Sequence, residues 1–218
     1  MTFSLLGRCT RTGMLGAVVT TSSIAVGSRC PFARAGVGAA LTQHRTDPRL
    51  GPLALDLVEN GFTAQQAMDA VVAATPHRDW RQLAIIDGEG RTASFSGERV
   101  KPEKSEAHGL NCVALGNIVR SREVPAAMVR AFEADTSAPL ASRLIASLEA
   151  GDEAGGEFKP LVSAALLLVD RETFPFVDLR VDQDGAPIAA LARLWQEYAP
   201  MAQPYVARAV DPNSAQAL

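Results

Sequence analysis

The sequence predicts an α+β domain in which helices cover the outer faces of two stacked sheets, a four-layer α/β/β/α sandwich. Three observations predict it. The element order runs strands, two helices, strands, two helices, strands, one helix, and segregated runs of this kind fit layers better than a strict β–α alternation. The opening stretch, residues 2–43, is small and apolar, with glycine at Gly7, Gly16, Gly27, Gly36 and Gly38, as in strands packed closely on both faces. The helical segments that follow keep their apolar residues on one face.

The elements follow in order. Residues 2–9, 14–21 and 35–43 read as a β-meander. Asp47-Pro48 offers a cap and a first helical proline, and Leu50, Leu53, Leu57 and Val58 share a face until Asn60-Gly61. Thr63 to Gln66 has capping-box spacing and opens a second helix, which closes before Pro76. Residues 82–87 and 92–96 form a hairpin across Asp87-Gly88-Glu89-Gly90. The charged residues 99–108 are expected to be an exposed loop before a short strand at 111–115. Two helices follow at 123–134 and 139–150, the second with Ser137 as cap, and then a flexible loop at 151–159. Residues 161–170 and 176–182 read as strands and 187–198 as an amphipathic helix. Residues 1–199 are expected to form one domain, and 200–218 a tail that lies on the surface or frays.

Composition excludes several function classes. The net charge of -3 comes from 21 basic and 24 acidic residues mixed along 218 positions, which gives no field for a phosphate backbone; nucleic acid is excluded as a partner. No run reaches the ~20 apolar residues of a membrane helix. Arg8 and Arg11 ahead of the apolar 14–19 superficially resemble a secretory signal, but the run is short and follows another apolar strand. Cys9, Cys30 and Cys112 are odd in number and lack CxxC spacing, so a disulfide framework and a zinc site are not expected and a cytoplasmic setting is. Neither a phosphate-binding glycine loop nor a GxSxG elbow is present, so no cofactor is expected.

The opening Thr2-Phe3-Ser4-Leu5-Leu6, the segments at 25–29 and 31–39, Leu41-Thr42-Gln43, Gly51-Pro52, Gly116-Asn117-Ile118, and the runs 163–166 and 178–182 together resemble the bacterial and archaeal domain of unknown function 1028 family. The matches extend from Thr2 to about Tyr198. The family is grouped with the N-terminal nucleophile (Ntn) hydrolases, so the resemblance implies the Ntn-type four-layer sandwich and leaves the reaction open. One departure stands out: residues 98–106 lack the Cys and Trp expected there.

Ntn chemistry needs Thr, Ser or Cys as residue one, because its own α-amine is the base that activates the side chain. Thr2 meets that demand once Met1 is removed, and threonine at position two is small enough for removal to be expected. Otherwise Thr2 is a β-branched residue opening a strand. Ser22 and Ser23, after the second strand, either aim hydroxyls and N–H groups at a bound carbonyl or form a plain polar turn. Gln43 ends the third strand as a substrate contact or a loop pin, and Asn117 supplies an oxyanion contact or caps a loop. Of His44, His77 and His108, none has a second histidine at ligand spacing, so no metal site is expected; His108, in the charged loop, is the substrate-pocket candidate. Asp178, Arg180 and Asp182 share one strand face, as an ion-pair ladder or an interface. Two readings stand: an amidohydrolase acting on a small amide, peptide-like or lactam bond, and a non-catalytic small-molecule-binding or scaffold protein of the same fold. The apolar Trp195, Tyr198, Met201 and Tyr205 either bury across the two-fold interface of a homodimer or fold back on their own chain.

Overall fold

The computed structural model describes residues 1–100 and 103–213. Within them lie ten strands: β1 (Thr2–Arg8), β2 (Leu15–Thr21), β3 (Pro31–Arg34), β4 (Gly38–His44), β5 (Arg81–Asp87), β6 (Thr92–Ser96), β7 (Lys104–Gly109), β8 (Cys112–Asn117), β9 (Ser163–Val169) and β10 (Val177–Val181). Five α-helices accompany them: α1 (Leu50–Glu59), α2 (Ala64–Ala74), α3 (Val124–Ala134), α4 (Leu140–Glu153) and α5 (Pro187–Val210). The strands form two antiparallel sheets, ordered β10-β9-β2-β1-β8-β7 and β3-β4-β5-β6. The chain is therefore a mixed α+β protein.

Strand periodicity assigns the faces. Leu6, Leu15, Ala17, Val113 and Leu115 of the larger sheet meet Ala39, Leu41, Ala84 and Ile86 of the smaller one in an apolar seam. The alternate residues of the larger sheet, among them Phe3, Leu5, Val18 and Leu166, pack with Met128, Phe132, Leu144 and Leu191 of α3, α4 and α5. Ala40, Leu83 and Ile85 of the smaller sheet pack with Leu50, Met68 and Val71 of α1 and α2. Gly7 and Gly16 are directly paired between β1 and β2 and open a notch under the helices. A Cβ at Gly7 would lie 2.5 Å from the Phe132 ring.

Several elements differ from the sequence reading. The meander splits: β1 and β2 pair, but residues 31–44 fold as a separate hairpin, β3 and β4, around Gly36 at φ 71°, and join the other sheet. Pro31 fits the first position of an edge strand, where no ladder donor is required. The charged stretch read as a loop contains β7, an edge strand of the larger sheet, where charge is common because it blocks further pairing; its Lys101 and Pro102 lie outside the described residues. The first three residues of the stretch read as a flexible loop are helical, since α4 runs to Glu153. The remainder is tied down by Arg120 N–H donating to the Gly156 carbonyl at 3.0 Å and by a β-bridge between Val119 and Glu157. Helix α5 continues through Pro200 and Pro204 to Val210 rather than ending at Tyr198. Trp195 and Tyr198 pack on the chain's own core, and Trp195 Nε1 donates to Ser142 Oγ on α4 at 3.2 Å. Residues 214–218 of the expected tail lie outside the described residues. No helix among the described residues is long and apolar enough to cross a membrane.

The caps divide. Thr63 and Gln66 make the reciprocal capping box, with Thr63 Oγ1 accepting from Gln66 N–H at 3.3 Å and Gln66 Oε1 from Thr63 N–H at 2.9 Å. Ser137 does not cap α4 and instead donates to Asp135. Asp47 accepts from the Arg49 N–H just ahead of α1 and holds the guanidinium groups of Arg49 and Arg81 at 2.8 and 3.5 Å. Arg49 beside it keeps its carboxyl below the usual range. Thr63→Ala is expected to lower stability by about 1 kcal/mol, read as a lower denaturant midpoint at unchanged slope. Gly7→Ala is expected to destabilise by ~1–3 kcal/mol, because the new methyl meets a ring on α3; an unchanged midpoint would mean that the Phe132 ring moves aside freely.

Candidate functional site

The start of β1 lies between the end of β2 and the end of β8. Thr2 stands opposite Asn117 in the β1–β8 pairing, and its hydroxyl is 3.4 Å from that of Thr21. Leu6 lies in the seam between the sheets, so Ser4 and Thr2, at the same parity, project there too. All three residues around Thr2 are buried. Met1 lies over them, and its carbonyl accepts hydrogen bonds from the hydroxyls of both Thr2 and Thr21.

Beneath Thr2 a chain of amides crosses from one sheet to the other. Ser4 Oγ donates to Gln43 Oε1 at 2.7 Å, Gln43 Nε2 to Gln82 Oε1 at 2.6 Å, and Asn117 Nδ2 to the same Gln82 oxygen at 3.0 Å. Gln82 Nε2 reaches Ser96 Oγ and the Gly116 carbonyl, both at 3.1 Å. Asn117 Oδ1 is buried and has no partner. The backbone around these strand ends is strained: Ile118, directly after Asn117, has φ 54°, His44 at the end of β4 has φ 68°, and Ala25 after β2 has φ 53°. A β-branched residue in the left-handed region is costly and is held there only by its surroundings.

Glu157 completes the cluster. It is 4 % exposed; its Oε2 accepts from the Ser22 N–H at 3.0 Å, and its Oε1 has no partner. Burial pushes its carboxyl up to about 7, against the opposing pull of Ser22 and of the Met1 α-amine. That amine is lowered by its own burial, with the Glu157 charge acting the other way. Glu157, Arg120 and Lys159 line an open cleft of about 670 Å³, together with Glu149, Asp152 and Glu153 at the end of α4.

The structure brings Thr2, Ser22, Gln43 and Asn117 to one end of the molecule. Two of the donors read as oxyanion groups are engaged there, Ser22 N–H by Glu157 and Asn117 Nδ2 by Gln82. Gln43 spans the sheets instead of pinning a loop. Ser23 is exposed, and its hydroxyl accepts from Arg29 at 2.7 Å. His108 stands apart on β7, four residues from Lys104, which pairs with Asn117, or about 13 Å along the strand. It is exposed, and its ring nitrogens meet the hydroxyls of Thr92 and Ser94, each at 2.8 Å. Sequence reasoning missed Thr21, Gln82 and Glu157. Pairing β1 with β2 brings Thr21 beside Thr2, and Gln82 is an amide on the seam-facing parity of Ala84 and Ile86. Only Gly155-Gly156, both at positive φ, marks the turn that carries Glu157 inward.

Comparison with known proteins gives the family. A crystal structure of protein SPO2555 from Silicibacter pomeroyi, of family model DUF1028, has 30% sequence identity, covers 91% of this chain and 86% of its own, and superposes with a TM-score of 0.85. Anbu, an ancestral β-subunit, from Yersinia bercovieri has 9% identity and a TM-score of 0.42, covering 91% of this chain and 94% of its own. An Anbu mutant from Hyphomicrobium sp. strain MC1 has 15% identity and a TM-score of 0.42, covering 93% and 96%. No curated protein resembles the chain closely enough to match. The model of the family of unknown function DUF1028 matches residues 2–191, and the chain belongs to that family.

Proposed function

We propose that the chain is an N-terminal-nucleophile amidohydrolase on a four-layer α/β/β/α sandwich, acting on a small amide, peptide-like or lactam bond with Thr2 as nucleophile. The observation that carries this reading is the seat of Met1. Its carbonyl takes the hydroxyls of Thr2 and Thr21 together, at the end where Ala25, His44 and Ile118 have positive φ and Asn117 Oδ1 and Glu157 Oε1 are buried without partners. Removing Met1 releases both hydroxyls and turns the Thr2 nitrogen into a free α-amine. That amine, with an unperturbed pKa of ~7.7–8, takes the hydroxyl proton directly or through a water. Thr2 Oγ1 then adds to the substrate carbonyl, the C–N bond breaks as the leaving amine takes that proton, and water hydrolyses the resulting ester.

Asn117 serves as a contact through its unpartnered Oδ1, held in place by Gln82 and Gln43. Backbone N–H groups around Ser22 and Ser23 serve the developing oxyanion, while the Ser22 N–H itself stays on Glu157 Oε2 at 3.0 Å. The protein works as a cytoplasmic homodimer on a small molecule, without nucleic acid. A second reading, a binding or scaffold protein, is favoured by the same Met1, which as seated leaves neither hydroxyl free.

Intact mass before and after incubation with a β-lactone, followed by peptide mapping, separates the two. The hydrolase reading expects protein beginning at Thr2 to gain one adduct on Thr2, and Thr2→Ala to react at least ~10²-fold more slowly. Protein beginning at Thr2 that gains no adduct overturns the nucleophile and leaves the binding protein.

A further inference from the structure

We infer that Glu157 is the terminal proton acceptor of this site, reached from the Thr2 hydroxyl through the hydroxyl of Thr21. The inference rests on Thr2 being the nucleophile, and it moves the base from the α-amine to a side chain. Thr2 Oγ1 and Thr21 Oγ1 are 3.4 Å apart, and the residue directly after Thr21, Ser22, holds Glu157 Oε2 through its N–H at 3.0 Å, which sets the carboxyl beside Thr21. With Met1 seated, Thr21 spends its proton on the Met1 carbonyl. With Met1 gone, an acceptor left within reach is Glu157.

The position of Glu157 is built rather than incidental. Its Oε2 is fixed by the Ser22 N–H at 3.0 Å, and its backbone by the bridge to Val119. The turn before it uses Gly155 at φ 134° and Gly156 at φ 55°, so the side chain enters the interior from a constrained loop. Inside, Oε1 has no partner, although a buried carboxylate oxygen normally accepts a hydrogen bond. Glu157 also lines the cleft of about 670 Å³, so the residue stands between the buried strand ends and the open side. A carboxylate tuned toward neutral pH by desolvation is well matched to general-base work there. The charged groups facing it are the Met1 α-amine from β1, Lys159 on its own loop, Arg120 after β8, and Glu149, Asp152 and Glu153 from α4.

The step balances on a β-lactone probe. Thr2 Oγ1 bonds to the lactone carbonyl carbon while its proton passes to Thr21 Oγ1, whose own proton passes to Glu157. The ring C–O bond then breaks, and the departing oxygen recovers a proton by the reverse path, leaving an ester on Thr2 and a neutral hydroxyl on the opened probe. Glu157 acts through Thr21 and does not touch the reacting atoms.

The test is the rate of β-lactone acylation against pH, by intact mass, on protein from a fusion cleaved to begin at Thr2. The unprotonated carboxylate is the competent form and burial raises the Glu157 carboxyl, so the wild-type rate is expected to rise with pH through an inflection above the ordinary carboxylate range. Glu157→Gln and Thr21→Ala are expected to lose ~10²-fold or more, Glu157→Gln with loss of that inflection, and Glu157→Asp to recover part of the rate. Thermal melts show whether the variants fold, and Thr21→Ser, which keeps the relay hydroxyl, is expected to stay within a few-fold of wild type. A reactive wild type whose rate and inflection survive in Glu157→Gln overturns the relay and returns the base to the α-amine. A wild type that is not acylated at any pH overturns Thr2 as nucleophile, and this inference with it.

Discussion

The end of the molecule that carries Thr2 depends on the satisfaction of buried amides between its two sheets. Gln82 bonds to Gln43, Asn117, Ser96 and the Gly116 backbone, and through Gln43 to Ser4 on β1. Ser4, Gln43, Gln82 and Asn117 have zero exposure, and stranding any one of them would forfeit ~1–3 kcal/mol of desolvation. An apolar seam such as Leu6 against Leu41 and Ile86 tolerates small shifts of one sheet over the other, whereas hydrogen bonds of 2.6–3.1 Å do not. The polar chain therefore fixes how the start of β1 sits above the second sheet, and with it where Thr2 stands.

Much of the fold was legible in the sequence because it rests on local signals. The helix stop at Asn60-Gly61, the Thr63 to Gln66 capping box and the Asp87 to Gly90 turn each follow from residues that act within four positions. What was not legible depends on partners far along the chain. Nothing in residues 31–44 says that this hairpin leaves the first sheet. Nothing in Lys104, Glu106 and His108 marks an edge strand, whose sides both stay partly exposed and so lose the apolar alternation. Pro200 and Pro204 normally stop a helix, yet α5 absorbs them on a half-exposed face where the lost donors leave carbonyls near water.

The site was half legible for the same reason. Thr2, Asn117 and Gln43 stand at strand ends, and strand ends can be read from the pattern. That Thr2 and Asn117 are opposite one another follows from the β1–β8 register, which joins residues more than a hundred positions apart. Glu157 was hidden by its neighbours: surrounded by glycine, aspartate and lysine, it looks like any solvated loop carboxylate. Its burial comes only from the bridge to Val119 and the turn at Gly155 and Gly156.

Burial gives this end of the molecule its chemical character. The α-amine of Met1 and the Glu157 carboxyl are both taken partly out of water, and desolvation favours the neutral form of each. The amine is lowered from its ordinary value and the carboxyl is raised to about 7, so the two move toward the same pH range. The hydroxyls of Thr2 and Thr21 lie 3.4 Å apart at the same end, and Glu157 also lines the open cleft. The Met1 carbonyl takes both hydroxyls, and removing Met1 to free them also removes the amine that acts on Glu157, so the chemistry open to this end depends on one residue ahead of β1.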